Sequence, residues 1–195
     1  MTPEQTLAFL GFAVVMAGTP GPSNALLTTT AANVGVVRGL SALAGVAAGM
    51  ASMMFLVVIG LGTLILHTPV LVTAVKWLGA AVLLWFAWKI GTSGESADHA
   101  GRPIGFLGAA AFQWVNPKSW LACTSAAATF VGQGSAFSHA VTLALLFVLA
   151  AVPACFVWLA FGAVVQNALR SAKARRRFNV VMAILLAASV LLLLV

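Results

Sequence analysis

Apolar residues fill six long stretches of this chain, at about 4–33, 39–66, 70–91, 104–131, 138–167 and 178–195, with the polar residues gathered between them. The stretches are continuous, and most reach or exceed the ~18–20 residues that carry a helix across a bilayer. A membrane β-barrel would instead alternate apolar and polar positions. The fold class expected is therefore all-α, a polytopic membrane protein with six transmembrane helices. The first and fourth stretches are too long for one straight crossing: ~30 residues at ~1.5 Å each measure ~45 Å, against a hydrocarbon core of ~30 Å. Each carries proline where it must break, in Thr19-Pro20-Gly21-Pro22-Ser23-Asn24 and in Val115-Asn116-Pro117-Lys118-Ser119. Backbone groups freed at such breaks must be buried in protein or line a cavity, because lipid cannot satisfy them.

The two breaks are also a pair. Pro20 and Pro117 lie 97 positions apart, and the starts of the second and fifth stretches differ by about the same amount. The polar segment Gly91–Gly105, with Glu95, Asp98 and His99, is the one real linker. It divides the chain into a three-helix repeat at 1–91, a cytoplasmic linker at 92–105 and a second three-helix repeat at 106–195. Three spans per half force the second half to insert upside down relative to the first, with helices one and four broken. Matched broken segments in two halves mark the binding site of many secondary transporters. The residue match between the halves is weak, so the repeat rests on architecture.

Composition and charge agree with this picture. The chain is 62% hydrophobic and 7% charged, against roughly a quarter charged in a soluble domain. Its net charge of +7 is placed asymmetrically. Arg38, Lys89, Arg102, Arg170, Lys173, Arg175, Arg176 and Arg177 fall on the side of the 1–2, 3–4 and 5–6 connections; only Lys76 falls on the other. Basic loops stay inside, so both termini are expected outside. The run from Arg170 to Arg177 is thus a topology signal, with anionic lipid headgroups as a further contact, and no nucleic-acid partner is expected. Met1-Thr2-Pro3-Glu4-Gln5 lacks the positive start of a cleavable signal. It reads as a helix start instead, with Thr2 as cap and Pro3 in the first turn.

An amino-acid substrate carries an ammonium and a carboxylate and needs opposite fields for them. A half-helix starting at Ser23 and another near Ser119 would aim positive dipole ends at a carboxylate. Unwound carbonyls around Gly18–Gly21 and Val115–Asn116 would suit the ammonium, with Asn24 and Asn116 able to bridge either group. Lys118 is the sharpest single residue, since a lysine at mid-span costs roughly 2.5–3.5 kcal/mol and normally faces the bundle interior. It could pair with a substrate carboxylate, or release a proton as substrate binds. It could also snorkel, or merely bond the freed carbonyls of the broken helix. Pro20, Gly21, Pro22 and Pro117 could be structural kinks only, although two prolines around a glycine exceed what a kink needs. Pro153 reads as a kink.

Gln113, Thr124, Ser125 and Thr129 either line a path or bond neighbouring helices. Gly45 and Gly49 read as close packing; they could serve a homodimer, which a 20 kDa bundle would accommodate, or pack within one chain. Trp77, Trp88 and Lys89 sit at span ends as anchors, and Trp114 and Trp120 flank the second break. Cys123 and Cys155 admit a membrane thiol–disulfide carrier, but no cysteine lies in the first span, and two thiols acting as small hydrophobes is the better reading. His67, His99 and His139 are scattered, so no metal and no cofactor is expected.

The two proline motifs, together with Phe112-Gln113-Trp114 before the second, and Lys76-Trp77-Leu78-Gly79-Ala80-Ala81 and Trp85-Phe86-Ala87-Trp88-Lys89-Ile90 between them, resemble the LysE/RhtB family of bacterial amino-acid exporters. The likeness covers nearly the whole chain. Within the family, Ala87–Ser93 and Arg102-Pro103-Ile104 look most like exporters of cysteine and O-acetylserine. The resemblance implies a transporter rather than an enzyme, moving small amino acids or derivatives out of the cytoplasm across the bacterial inner membrane, with proton counter-flow. Pro20, Gly21, Pro22, Ser23, Asn24, Asn116, Pro117, Lys118 and Ser119 are the expected walls of the site. One departure stands out. Many relatives carry an acid in the fifth span, whereas this chain has Val152-Pro153-Ala154-Cys155 there, and its acids are Glu4, Glu95 and Asp98 alone. The alternatives are the thiol carrier and a non-transporting membrane scaffold.

Overall fold

The computed structural model describes residues 1–92, 104–168 and 171–194. The expected linker centre, with Glu95, Asp98, His99 and Arg102, lies outside the described residues, as does Arg170.

Among the described residues the chain is helical throughout. Helix α1 (Pro3–Gly18) begins at a capping box: Gln5 N donates to Thr2 Oγ1 (3.2 Å) and Thr2 N to Gln5 Oε1 (3.0 Å). This is the start expected for Thr-Pro-x-Gln, and it satisfies amides that the first turn leaves open. Helix α2 (Pro22–Leu56) continues through a π-helical turn (Val57–Leu61) into α3 (Gly62–Leu66). Then follow α4 (Pro69–Thr92), α5 (Phe106–Val115), α6 (Pro117–Phe130), α7 (Ala136–Ala168) and α8 (Ala172–Leu194). Three helical runs among the described residues are long and apolar enough to cross a membrane: Pro22–Leu64, Pro69–Thr92 and Ala136–Val165. With 16 and 14 residues, α1 and α6 would each reach only ~20–25 Å, short of the hydrocarbon core.

Two boundaries differ from the sequence expectation. The gap expected at 34–38 shrinks to Gly35, whose φ of 81° and ψ of 170° separate two arms of α2. That backbone geometry is essentially confined to glycine, so a single residue does the work of a loop and Arg38 lies within helix. The second stretch carries a π-helical turn in which Gly60 has φ 129°, a feature hydrophobic periodicity does not reveal. Pro153 lies inside α7, which runs on through it.

Two apolar cores form. The first gathers Leu26, Leu27, Leu43 and Val46 of α2, Leu83 and Phe86 of α4, Phe112 of α5, Leu159 of α7 and Leu186 of α8. The second gathers Phe9 and Ala13 of α1, Met50, Met53 and Met54 of α2, Cys123 and Ala126 of α6, and Leu143 and Phe147 of α7. At the two breaks the chain crosses between these cores in opposite directions. It leaves the second core at the end of α1 and enters the first through the early part of α2; it leaves the first at the end of α5 and enters the second through α6. Both proline breaks therefore lie where the cores meet.

Glycines let the helices approach to backbone contact. A Cβ on Gly49 would sit 2.5 Å from Ala110 O, and one on Gly45 would collide with Phe106 O. The Gly45-x-x-x-Gly49 face is thus used within the chain, to seat α2 on α5. Likewise a Cβ on Gly162 of α7 would strike the backbone of Thr28, whose Oγ1 donates to Trp158 O (3.1 Å).

Gly35→Ala should cost about 1–3 kcal/mol, because alanine must adopt a glycine-only conformation. Gly11→Ala, in helix α1 with open space around its Cα, should be neutral or slightly stabilising. Thermal unfolding of the two purified variants in detergent measures the contrast.

Candidate functional site

At the first break α1 stops with Thr19 extended (φ −67°, ψ 142°), and α2 restarts at Pro22 with Gly21 as its N-cap. Proline cannot donate to the preceding turn, so carbonyls at the end of α1 lose their helical partners. Each finds a side chain. Asn24 Nδ2 donates to Ala17 O (2.9 Å) and Thr19 O (2.7 Å). Trp158 Nε1, from α7, donates to Gly18 O (3.0 Å). Lys118 Nζ, from α6, donates to Thr19 O (2.5 Å) and Thr19 Oγ1 (2.8 Å), with Pro20 O at 3.5 Å.

The second break is shorter. Asn116 alone is extended (φ −85°, ψ 114°), and its Oδ1 caps α6 by accepting from Lys118 N (3.1 Å). Asn116 O also accepts from Ser119 N (3.0 Å) and Trp120 N (3.3 Å). Trp120 Nε1 donates to Trp114 O (2.7 Å), which ties α6 back to α5.

One hydrogen-bonded chain joins the breaks. Asn116 Nδ2 donates to Ser23 Oγ (2.8 Å), Ser23 Oγ donates to Gln113 Oε1 (2.8 Å), and Ser119 Oγ donates to the same oxygen (3.0 Å). Gln113 Nε2 donates to Ala109 O within α5 (3.2 Å). Gln113 is 0% exposed and Asn116 1%, so every polar atom here depends on its neighbour. No buried side-chain polar atom among the described residues lacks a partner.

These groups border a cavity of about 40 Å³. Gly21, Ser23, Asn24, Gln113, Asn116, Lys118 and Ser119 give it a polar side; Leu43, Val46, Met50, Phe147 and Ala151 give it an apolar one. The expected site residues are thus brought together, with differences in detail. Ser23, Asn24, Asn116, Lys118, Ser119 and Gly21 line the cavity. Pro20, Pro22 and Pro117, expected among its walls, do not line it and instead set the helix breaks; the second half-helix starts at Pro117, two residues before the expected Ser119. The two helix starts are not equivalent. Asn116 caps α6, whereas no side chain caps α2 at Gly21. Asn24 bonds carbonyls at the end of α1, and Lys118 does bond the broken helix, as one of its sequence readings held.

Four participants lay outside the expected set. Thr19 holds the Lys118 head, Gln113 joins Ser23 to Ser119, Trp158 caps Gly18, and Cys155 lines the cavity with Sγ 3.8 Å from Asn24 Oδ1. Gln113 was recognisable as an amide three residues before the break. Thr19 opens the first proline motif and was left out only of the expected walls. For Trp158, 140 positions from Gly18, the sequence holds no signal, and Cys155 was marked only as a thiol of the fifth span. Thr124 is turned away, its Oγ1 donating back to Trp120 O (2.8 Å).

The sequence model of the LysE type translocator family matches residues 14–195. The chain belongs to this family. Among its curated relatives, the cysteine/O-acetylserine efflux protein of Escherichia coli K12 is 34% identical over 188 residues, and that of Salmonella typhimurium LT2 is 32% identical over 188; each comparison covers 95% of both chains. The protein of the same name from Salmonella typhi is 33% identical over 189 residues, with 95% of both chains covered. No solved structure matches. As a LysE family member the chain is an integral membrane transporter and not an enzyme. Its cysteines fit that assignment: both are free and buried, Cys155 beside the cavity and Cys123 in the methionine-rich core.

Gln113→Leu should destabilise this translocator by about 1–3 kcal/mol, since the hydroxyls of Ser23 and Ser119 lose a shared acceptor. Gln113→Glu keeps an acceptor oxygen and should recover much of the loss. Thermal unfolding midpoints in detergent compare them.

Proposed function

We propose that the protein exports a small neutral amino acid or a close derivative, with cysteine and O-acetylserine the first to test, from the cytoplasm across the bacterial inner membrane. The observation that carries this reading is the pair of broken helices hydrogen-bonded to each other around a cavity with one polar and one apolar side. Buried breaks of this kind serve substrate sites in secondary transporters. An extended, uncapped backbone at Gly21 lies within reach of the Lys118 side chain, whose Cδ would be 2.9 Å and Nζ 3.2 Å from a Cβ placed there. The uncapped start of α2 and Lys118 together suit a carboxylate. The α6 start, already capped by Asn116, suits it less. The apolar wall of Leu43, Val46, Met50 and Phe147 suits a short uncharged side chain.

Six spans in two inverted halves fit the opposite directions in which the chain crosses between its two cores at the breaks. Basic residues at the connections support both termini outside. With the acids Glu4, Glu95 and Asp98 all near or beyond the expected span edges, Lys118 and the thiols are the mid-span titrating groups left to serve a proton counter-flow. Both walls of the site come from one chain, so a homodimer adds nothing the site needs.

Cells loaded with dipeptides and expressing the protein should release one or a few small neutral amino acids several-fold faster than controls, by mass spectrometry of the medium. Lys118→Ala at equal membrane abundance should abolish the difference. Equal release across a broad panel would remove the export reading and favour a membrane scaffold. For topology, alkaline phosphatase fused to the C-terminus should be active in the periplasm, and a fluorescent protein that matures only in the cytoplasm should stay dark there.

A further inference from the structure

Lys118 is held in an unusual way. Its stem lies across the backbone of Gly21, so close that a Cβ there would overlap its Cδ. Its ammonium reaches the unwound segment of the other half, where Thr19 O, Thr19 Oγ1 and Pro20 O surround it. Three acceptors around one ammonium are what a free amino acid's own ammonium would require. The segment's remaining freed carbonyls, Ala17 O and Gly18 O, are taken by Asn24 and Trp158. No carboxylate among the described residues shares the site, so nothing there could neutralise a second cation.

We propose that the unwound segment Thr19–Gly21 is an ammonium seat occupied by Lys118 itself in the unloaded protein, and that substrate enters by exchange. The substrate ammonium takes the Thr19 and Pro20 oxygens; the released Lys118 ammonium receives the substrate carboxylate at the start of α2. This inference rests on the export reading and adds how the site selects its cargo. The exchange conserves charge: one ammonium leaves the seat and one arrives, while the carboxylate gives Lys118 a new charged partner. Freed carbonyls are never left bare in an apolar surround, where each would cost several kcal/mol. The same logic excludes an amine without a carboxylate. Such a cation would strand Lys118 beside it with no anion, and like charges at close range disfavour both. The required substrate is a zwitterion.

The test is thermal unfolding of the full-length protein in detergent with three probes: O-acetylserine or cysteine, the methyl ester of the same amino acid, and n-butylammonium. Wild type should be stabilised by the zwitterion alone, by about 3–6 °C at roughly ten times its dissociation constant. Lys118→Met keeps the stem over Gly21 but empties the seat. It should gain a comparable shift with n-butylammonium and with the ester, and Thr19→Val added to it should remove that gain. Lys118→Ala gives the same contrast should the methionine variant fail to fold. Equal response of wild type and variant to n-butylammonium, or no response in either variant, would overturn the proposal. A wild type that ignores every zwitterion counts against the export reading, while the n-butylammonium contrast still decides whether the seat exists.

Discussion

An unpaired carbonyl cannot be left in hydrocarbon, and the architecture around the cavity follows from that constraint. Proline at positions 20, 22 and 117 removes donors from two helices in the middle of their course. The acceptors so exposed must be served from elsewhere in the protein. They are served by residues brought in from three other elements: Asn24 from α2, Lys118 from α6 and Trp158 from α7. The need to satisfy a break therefore draws the two halves of the chain together. A soluble protein could have left the same carbonyls to water, and no such convergence would be required.

The fold was legible because its determinants are local or periodic. Continuous apolar runs give the helices, the length excess of two of them gives the breaks, and the proline motifs locate those breaks to within a residue or two. Thr2-Pro3 marks the first helix start, and its capping box forms as expected. What was missed depends on tertiary geometry. Gly35 can replace a loop only because it takes a backbone conformation closed to other residues, and nothing in the surrounding hydrophobicity records this. The π-helical turn at Val57–Leu61 is similarly silent.

The site was half legible for a related reason. Residues inside the motifs announced themselves by being polar in an apolar run. Gln113 was noticed on the same ground, but its weight comes from serving Ser23, 90 positions away, and Ser119 at once. That is a property of the assembled pair of breaks. Trp158 and Cys155 look like ordinary span residues, and only the packing of α7 against α1 and α2 carries them to the first break. The reading of Lys118 kept open carboxylate pairing, proton release, snorkelling and bonding of the freed carbonyls, and the geometry shows the last of these. Bonding the broken helix does not bar that amine from the other uses, so they are not rivals.

The glycine contacts bear on movement. Where Gly45 and Gly49 meet α5, and Gly162 meets the backbone of Thr28, the helices touch main chain to main chain with no side chain between them to change rotamer. Such contacts behave as welds: they can separate, but they cannot slide by small adjustments. The other core is lined by Met50, Met53 and Met54 beside Phe9 and Phe147, and flexible thioethers repack at little cost. The glycine contacts thus fix the spacing of α2 against α5 and α7, while the methionine-lined core beside α1 and α6 keeps the freedom to repack.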